Sequence, residues 1–137
     1  YLWVFGNNIE DRLGHLKYLF FYLTCGALAA LCQWFIGINS IIPSLGASGA
    51  ISGVLGAYLI WFPRARITTL IFLGFFITTI NVPALVIIGI FFIQNLISGF
   101  ASLQTAANMS VESGGVAYWA HLGGFIVGMI FAFWHRE

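Results

Sequence analysis

The sequence predicts an all-α, polytopic membrane helix bundle, and three observations carry that prediction. The first is composition: 61% of the residues are hydrophobic, 7% are charged, and mean hydropathy is +0.98. A water-soluble domain carries about 25% charged residues to solvate its surface; five Lys and Arg with four Asp and Glu cannot cover a globule of 137 residues. The second is segmentation, because apolar runs of membrane length alternate with short polar or Pro-containing breaks. The third is charge placement, since one topology puts every Lys and Arg on the same side of the bilayer.

The elements follow in order. Tyr1–Phe5 reads as the tail of a helix whose body lies upstream, and with no initiator Met the chain reads as an excised, N-terminally truncated fragment of one domain, residues 1–137. Gly6–Lys17 is the most polar stretch and is predicted to be a loop. Leu16 to about Ile38 is long enough to cross ~30 Å of hydrocarbon. Asn39-Ser40 and Pro43-Ser44 end it. Gly46–Phe62 is the next span, stopped by Pro63-Arg64-Ala65-Arg66. Pro83, suited to a first helical turn, opens a span to about Leu103. A polar loop, Gln104–Gly115, precedes the last span, Val116–Trp134. Four full spans are thus expected.

Ile67–Ile80 is apolar but only about fourteen residues long, which favours a re-entrant or interfacial element. If it does not cross, Arg12, Lys17, Arg64, Arg66 and Arg136 all face the cytosol and Glu112 faces outward. If it crosses, Arg136 changes side. The positive-inside rule prefers the first arrangement, which also starts the Ser48 and His121 helices from the same face.

Those two residues carry the chemistry. A serine hydroxyl is a weak nucleophile until a base takes its proton, and histidine is the usual base near neutral pH. Ser48 lies at the start of a span, where backbone N–H groups lack helical partners and can receive an oxyanion. Gly46, Ala47 and Gly49 around it remove bulk, so a peptide backbone can approach. Gly53 and Gly56 continue that small face. Behind His121, Gly123, Gly124 and Gly128 provide the small-residue spacing that lets membrane helices approach closely. Each piece has a blander reading: Gly/Ser-rich faces also serve plain helix packing, and a lone His can be an interhelical donor. Ser52, one turn deeper, is read as packing or water-holding. No Asp or Glu is placed to complete a triad, which leaves a dyad.

Together these residues resemble the rhomboid family of intramembrane serine proteases over essentially the whole chain. Gly46-Ala47-Ser48-Gly49 is similar to the family's nucleophile motif, and Ala120-His121 with Gly124 and Gly128 to its general-base helix. Glu10-Asp11-Arg12 resembles the family's structural acidic-x-Arg loop. The resemblance implies a six-helix core, a Ser48–His121 dyad and single-pass membrane proteins as substrates, cut in or near the bilayer. It implies two departures. The family's oxyanion His and Asn belong upstream of Tyr1, so the fragment alone is expected to be inactive. Many bacterial members carry a Tyr one turn after the nucleophile to pack the catalytic His; here that position is Ser52, so other groups must hold the ring.

Gln94 and Asn95 are expected to face the bundle or a water pocket, because unpaired amides are costly in lipid. Trp61, Trp119 and Trp134 read as interface anchors. The Gln104–Gly115 loop reads equally as a lid or a connector. Cys25 and Cys32 are expected to be small packing residues, since their number and context exclude a disulfide framework. No metal or cofactor is expected. A net charge of +1 without a basic run argues against nucleic acid, leaving the bilayer and transmembrane protein substrates as partners. The expected location is the bacterial cytoplasmic membrane. Two other functions compete with proteolysis: a catalytically inactive relative that binds membrane-protein clients, and a small transporter. The retained Ser and His weigh against the former, and the lack of an internal repeat against the latter.

Cysteines introduced at Arg66 and Glu112 are expected to label from opposite sides of sealed vesicles. Labelling of both from one side would remove the topology argument for a Ser48–His121 encounter.

Overall fold

The computed structural model describes residues 1–36, 47–108 and 117–135. The predicted breaks at 39–44, Gly46, the end of the Gln104–Gly115 loop and Arg136 lie outside the described residues. Among these residues five α-helices follow a short π-helical segment, Leu2–Gly6: α1 Asn7–Leu13, α2 His15–Ile36, α3 Ser48–Trp61, α4 Ala84–Asn108 and α5 Tyr118–Trp134. Between α3 and α4 lies a hairpin of β1, Arg66–Leu73, and β2, Phe76–Pro83. The chain is therefore mostly helical, not all-α.

Among the described residues two helices, α2 and α4 over residues 84–104, are long and apolar enough to cross a membrane. The other two predicted spans are shorter: α3 has 14 residues and α5 has 17. At 1.5 Å per residue these are about 21 and 26 Å long, below the ~30 Å of a hydrocarbon core.

Gly6–Lys17 is not the predicted loop. Phe5, Ile9 and Leu13 recur every fourth residue, and Phe5 and Ile9 are buried while Leu13 packs on the core cluster. That stripe folds the segment as a helix, with its Asn, Asp and Arg side chains outward. The Gly14 N–H closes α1 on the Glu10 carbonyl at 2.7 Å, and Gly14, at φ 78°, turns the chain into α2. Glu10 and Arg12 are thus helix residues. Glu10 Oε1 lies 2.6 Å from His15 Nδ1 across that turn. The Arg12 guanidinium sits 4.8 Å from the Trp61 ring centroid, and the Trp61 indole donates to the Ala132 carbonyl at 2.9 Å. These contacts tie α1 to the end of α3 and the end of α5.

Residues 67–80 form the hairpin because Ile, Thr and Phe are strand formers as well as apolar. Its strands pair antiparallel from Arg66↔Pro83 to Leu73↔Phe76. Gly74 at φ 64°, followed by a residue of negative φ, has the backbone signature of a type II′ turn, which matches strand twist. The Thr68 hydroxyl donates to Asn81 Oδ1 at 3.0 Å across the ladder. Two strands alone leave outer amides unpaired, which hydrocarbon does not tolerate. The ribbon instead returns the chain to where it left: the Ala84 N–H donates to the Ala65 carbonyl at 2.8 Å.

The core is built on α3 and α5, which run parallel in backbone contact. A Cβ on Gly124 would strike the Gly49 carbonyl, one on Gly128 the Gly53 carbonyl, and one on Gly56 the Phe125 carbonyl. Helix α2 runs antiparallel to both, fitting Cys25 against Gly53, Ala29 against Gly49 and Cys32 against Gly123. Both cysteines are free and serve as the small packing residues expected of them.

Gly128→Val is expected to cost at least the ~1–3 kcal/mol of an overpacked core, since it meets backbone rather than a movable side chain. Gly89→Ala faces open space and is expected to be neutral or to stabilise by up to ~1 kcal/mol through helix propensity. Thermal unfolding in detergent measures both; similar losses for the two would show that the α3–α5 contact does not organise the bundle.

Candidate active site

Helix α3 begins at Ser48, with Ala47 as its N-cap. The first helical bond runs from the Ile51 N–H to the Ala47 carbonyl at 3.0 Å. The amides of Ser48, Gly49 and Ala50 therefore precede the intrahelical ladder, where an anion can be received. Ser48 is exposed at the start of α3, while Gly49 and Ala50 are buried. Ser52 is fully buried (0% exposed), and its hydroxyl donates to the Ser48 carbonyl at 2.9 Å.

His121 lies in the first turn of α5 and is partly buried. Its N–H donates to the Ala117 carbonyl at 3.1 Å. The preceding N–H, of Ala120, is capped across the bundle by Gln33 Oε1 of α2 at 3.1 Å. The ring meets α4: His121 Nδ1 lies 2.6 Å from Asn95 Oδ1, and the Phe91 ring centroid is 5.9 Å from that of His121. Asn95 also donates through Nδ2 to the Phe91 carbonyl at 2.8 Å.

The parallel packing brings Ser48 and His121 to the same end of adjoining helices. A Cβ placed on Gly49, next to Ser48, would lie 3.6 Å from the carbonyl oxygen of Ala120, next to His121. The small residues Ala47, Gly49, Gly53, Gly56, Gly123, Gly124 and Gly128 all lie on these two helices or at their start, while Gly46 is outside the described residues. Glu10 and Arg12 are remote: Arg12 lines a cavity of about 400 Å³ with Lys17 and His135, at the opposite ends of α3 and α5. Among the described residues no group of His, Cys, Asp and Glu could hold a metal ion.

Two neighbours of the site were not singled out by the sequence. Gln33 is an isolated amide late in an apolar span, and its cost in lipid was the available signal. Phe91 was one aromatic among fourteen Phe, with nothing local to mark it. Of the amides expected to face inward, Asn95 is buried but Gln94 is exposed. Trp119 does not stand free as an interface anchor: it packs edge-on against Phe100, with centroids 5.5 Å apart, and lies over Gly99.

Comparison with known proteins gives the same direction throughout. A family profile described as Rhomboid domain matches residues 1–137. The chain is 29% identical over 138 residues to Rhomboid protein 1, mitochondrial, of Saccharomyces cerevisiae, covering 97% of this chain and 35% of that protein. It is 33% identical over 131 residues to Rhomboid protease GluP of Bacillus subtilis, covering 96% of this chain and 21% of that protein. It is 28% identical over 138 residues to human Presenilin-associated rhomboid-like protein, mitochondrial, covering 99% of this chain and 32% of that protein. The chain thus spans about a third or less of the length of these curated relatives. No solved structure matches it.

Gln33→Leu strands the Ala120 N–H and is expected to lower stability by about 1 kcal/mol, measured by thermal unfolding in detergent. An unchanged melting temperature would mean that water caps that end of α5 equally well.

Proposed function

This chain belongs to the rhomboid family, and from that membership we propose that it is the core of an intramembrane serine endopeptidase, with Ser48 as nucleophile and His121 as general base. The observation that carries the reading is the parallel, backbone-close packing of α3 and α5, which starts both helices at one end. On this reading Ser48 Oγ attacks the scissile carbonyl carbon while His121 takes the hydroxyl proton. The oxyanion is received at the first turn of α3, where Ala47, Ser48 and Gly49 leave room for a peptide backbone. His121 then protonates the departing amine, and water releases the acyl group by the same route in reverse.

The substrates we propose are single-pass membrane proteins, cut where a strand-like segment can reach a recessed serine. Family members are membrane proteins, and the related proteins named above come from mitochondria and bacteria. For this chain we propose the bacterial cytoplasmic membrane, with Arg12, Lys17, Arg64 and Arg66 inside, and a single domain in which α2–α5 supply four of six core helices. The bundle geometry favours that topology. The Arg12–Trp61 and Trp61–Ala132 contacts gather the ends of α1, α3 and α5, and the hairpin returns the chain to the end it left.

A fluorophosphonate probe applied to the full-length protein is expected to label Ser48. His121→Ala is expected to slow labelling by ~100-fold or more, the scale of a lost general base. Ser52→Ala is expected to keep most of it, because Ser52 is buried and bonded to a backbone carbonyl. Labelling that survives Ser48→Ala and disappears with Ser52→Ala would reassign the nucleophile. No labelling of either serine in folded protein would favour the inactive, client-binding relative.

A further inference from the structure

Helix α5 touches α4 through a polar contact between His121 and Asn95, and its chemistry fixes which atoms carry the protons. Asn95 Nδ2 donates to the Phe91 carbonyl at 2.8 Å, while Asn95 Oδ1 lies 2.6 Å from His121 Nδ1. A carbonyl oxygen only accepts, so the amide edge facing Phe91 must be the NH2 and the edge facing His121 must be the oxygen. An amide oxygen also only accepts, so the proton in the second bond belongs to His121 Nδ1. In a neutral imidazole the other nitrogen, Nε2, then holds the lone pair. Asn95 is 6% exposed, so water scarcely competes for its oxygen.

We propose that Asn95 is a positioning residue: from α4 it holds His121 in the Nδ1–H tautomer, so that Nε2 is the nitrogen that takes the proton of Ser48. This rests on the dyad reading above. As Ser48 Oγ bonds to the substrate carbonyl carbon, its proton moves to Nε2 and the carbonyl π electrons move to oxygen. The imidazolium keeps its Nδ1–H on Asn95 throughout. The Nε2 proton then passes to the leaving nitrogen as the C–N bond breaks. Asn95 neither gains nor loses a proton; it orients the ring as an acceptor behind a catalytic histidine does in triads. The Phe91 ring restricts the imidazole from the same helix. Ser52 offers nothing equivalent, because its hydroxyl is bonded to the Ser48 carbonyl.

The test uses the full-length protein in detergent, fluorophosphonate labelling rates, and ¹⁵N spectra of ring-labelled histidine. Wild type is expected to show Nδ1 protonated and Nε2 bare at His121. Asn95→Leu keeps the γ-branched shape and has no acceptor; it is expected to label about 10- to 100-fold more slowly, within the range a general base contributes, and to lose the single-tautomer signature. Asn95→Asp supplies an acceptor oxygen and is expected to restore both the tautomer and most of the rate. A wild-type spectrum with Nε2 protonated overturns the proposal whatever the variants do, and so does wild-type labelling by Asn95→Leu. His121→Ala separates the two layers. If it labels normally, the dyad itself is wrong; if it is silent while Asn95→Leu is normal, only the role of Asn95 falls.

Discussion

The backbone contact between α3 and α5 is the constraint on which the rest of the molecule depends. In lipid, apolar side chains gain nothing by leaving one hydrocarbon surface for another, so helices associate through close packing and polar contacts. Gly53 and Gly128 meet with no side chain between them, as do Gly49 and Gly124. Every other short distance at the site follows. Helix α2 can enclose the pair only with small residues, and it supplies Cys25, Ala29 and Cys32 there. Larger side chains on that face would push α2 outward and withdraw Gln33 from the α5 N-terminus.

Helix α4 enters this arrangement differently. Its contact with α5 is made by larger groups: Phe92 against Phe125, with centroids 4.9 Å apart, Trp119 against Phe100 and Gly99, and the Asn95–His121 bond. Because the hairpin brings the chain back to the end at which α3 finishes, α4 runs antiparallel to α5 and its middle passes the first turn of α5. A crossing segment in place of the hairpin would have reversed α4. Retention of the chain on one side is therefore what lets a residue of α4 reach His121 at this depth.

The helices were legible because hydropathy and length are local properties, and so was the shared end of α3 and α5, because two glycine-rich helix starts are visible without coordinates. The hairpin was not. Ile67–Ile80 is apolar, and a reading by hydropathy weighs its Ile and Phe without asking whether they are strand formers; the repeated Ile-Thr-Thr flanking Gly74 was the missed signal. The polarity of Gly6–Lys17 concealed the Phe5, Ile9, Leu13 period in the same way. Gln33 and Asn95 belong to a third kind. Their expense in lipid is written in the sequence, but their partners, 87 and 26 residues distant, are set only by how the helices pack.

Helix lengths give the site its depth. Asn95 lies eleven residues into α4, so at 1.5 Å per residue it stands about 17 Å from the end at Ala84. The apolar window 84–104 is about 32 Å long on the same measure, which puts Asn95, and with it His121, near its middle. On the proposed topology, helices α3 and α5, of 14 and 17 residues, begin near that depth. On the proposed function, a serine beside longer neighbours exchanges water for fixed amides and one oriented imidazole, and electrostatic contacts strengthen as water is excluded. It also faces, on that proposed function, an obligation that a surface protease lacks: hydrolysis consumes water, so the exposed Ser48 must open on a polar cavity rather than on lipid. The exposed Ser48 and the buried, back-bonded Ser52 differ by one helical turn, and on the proposed function that turn separates the wetted end of α3 from its packed interior.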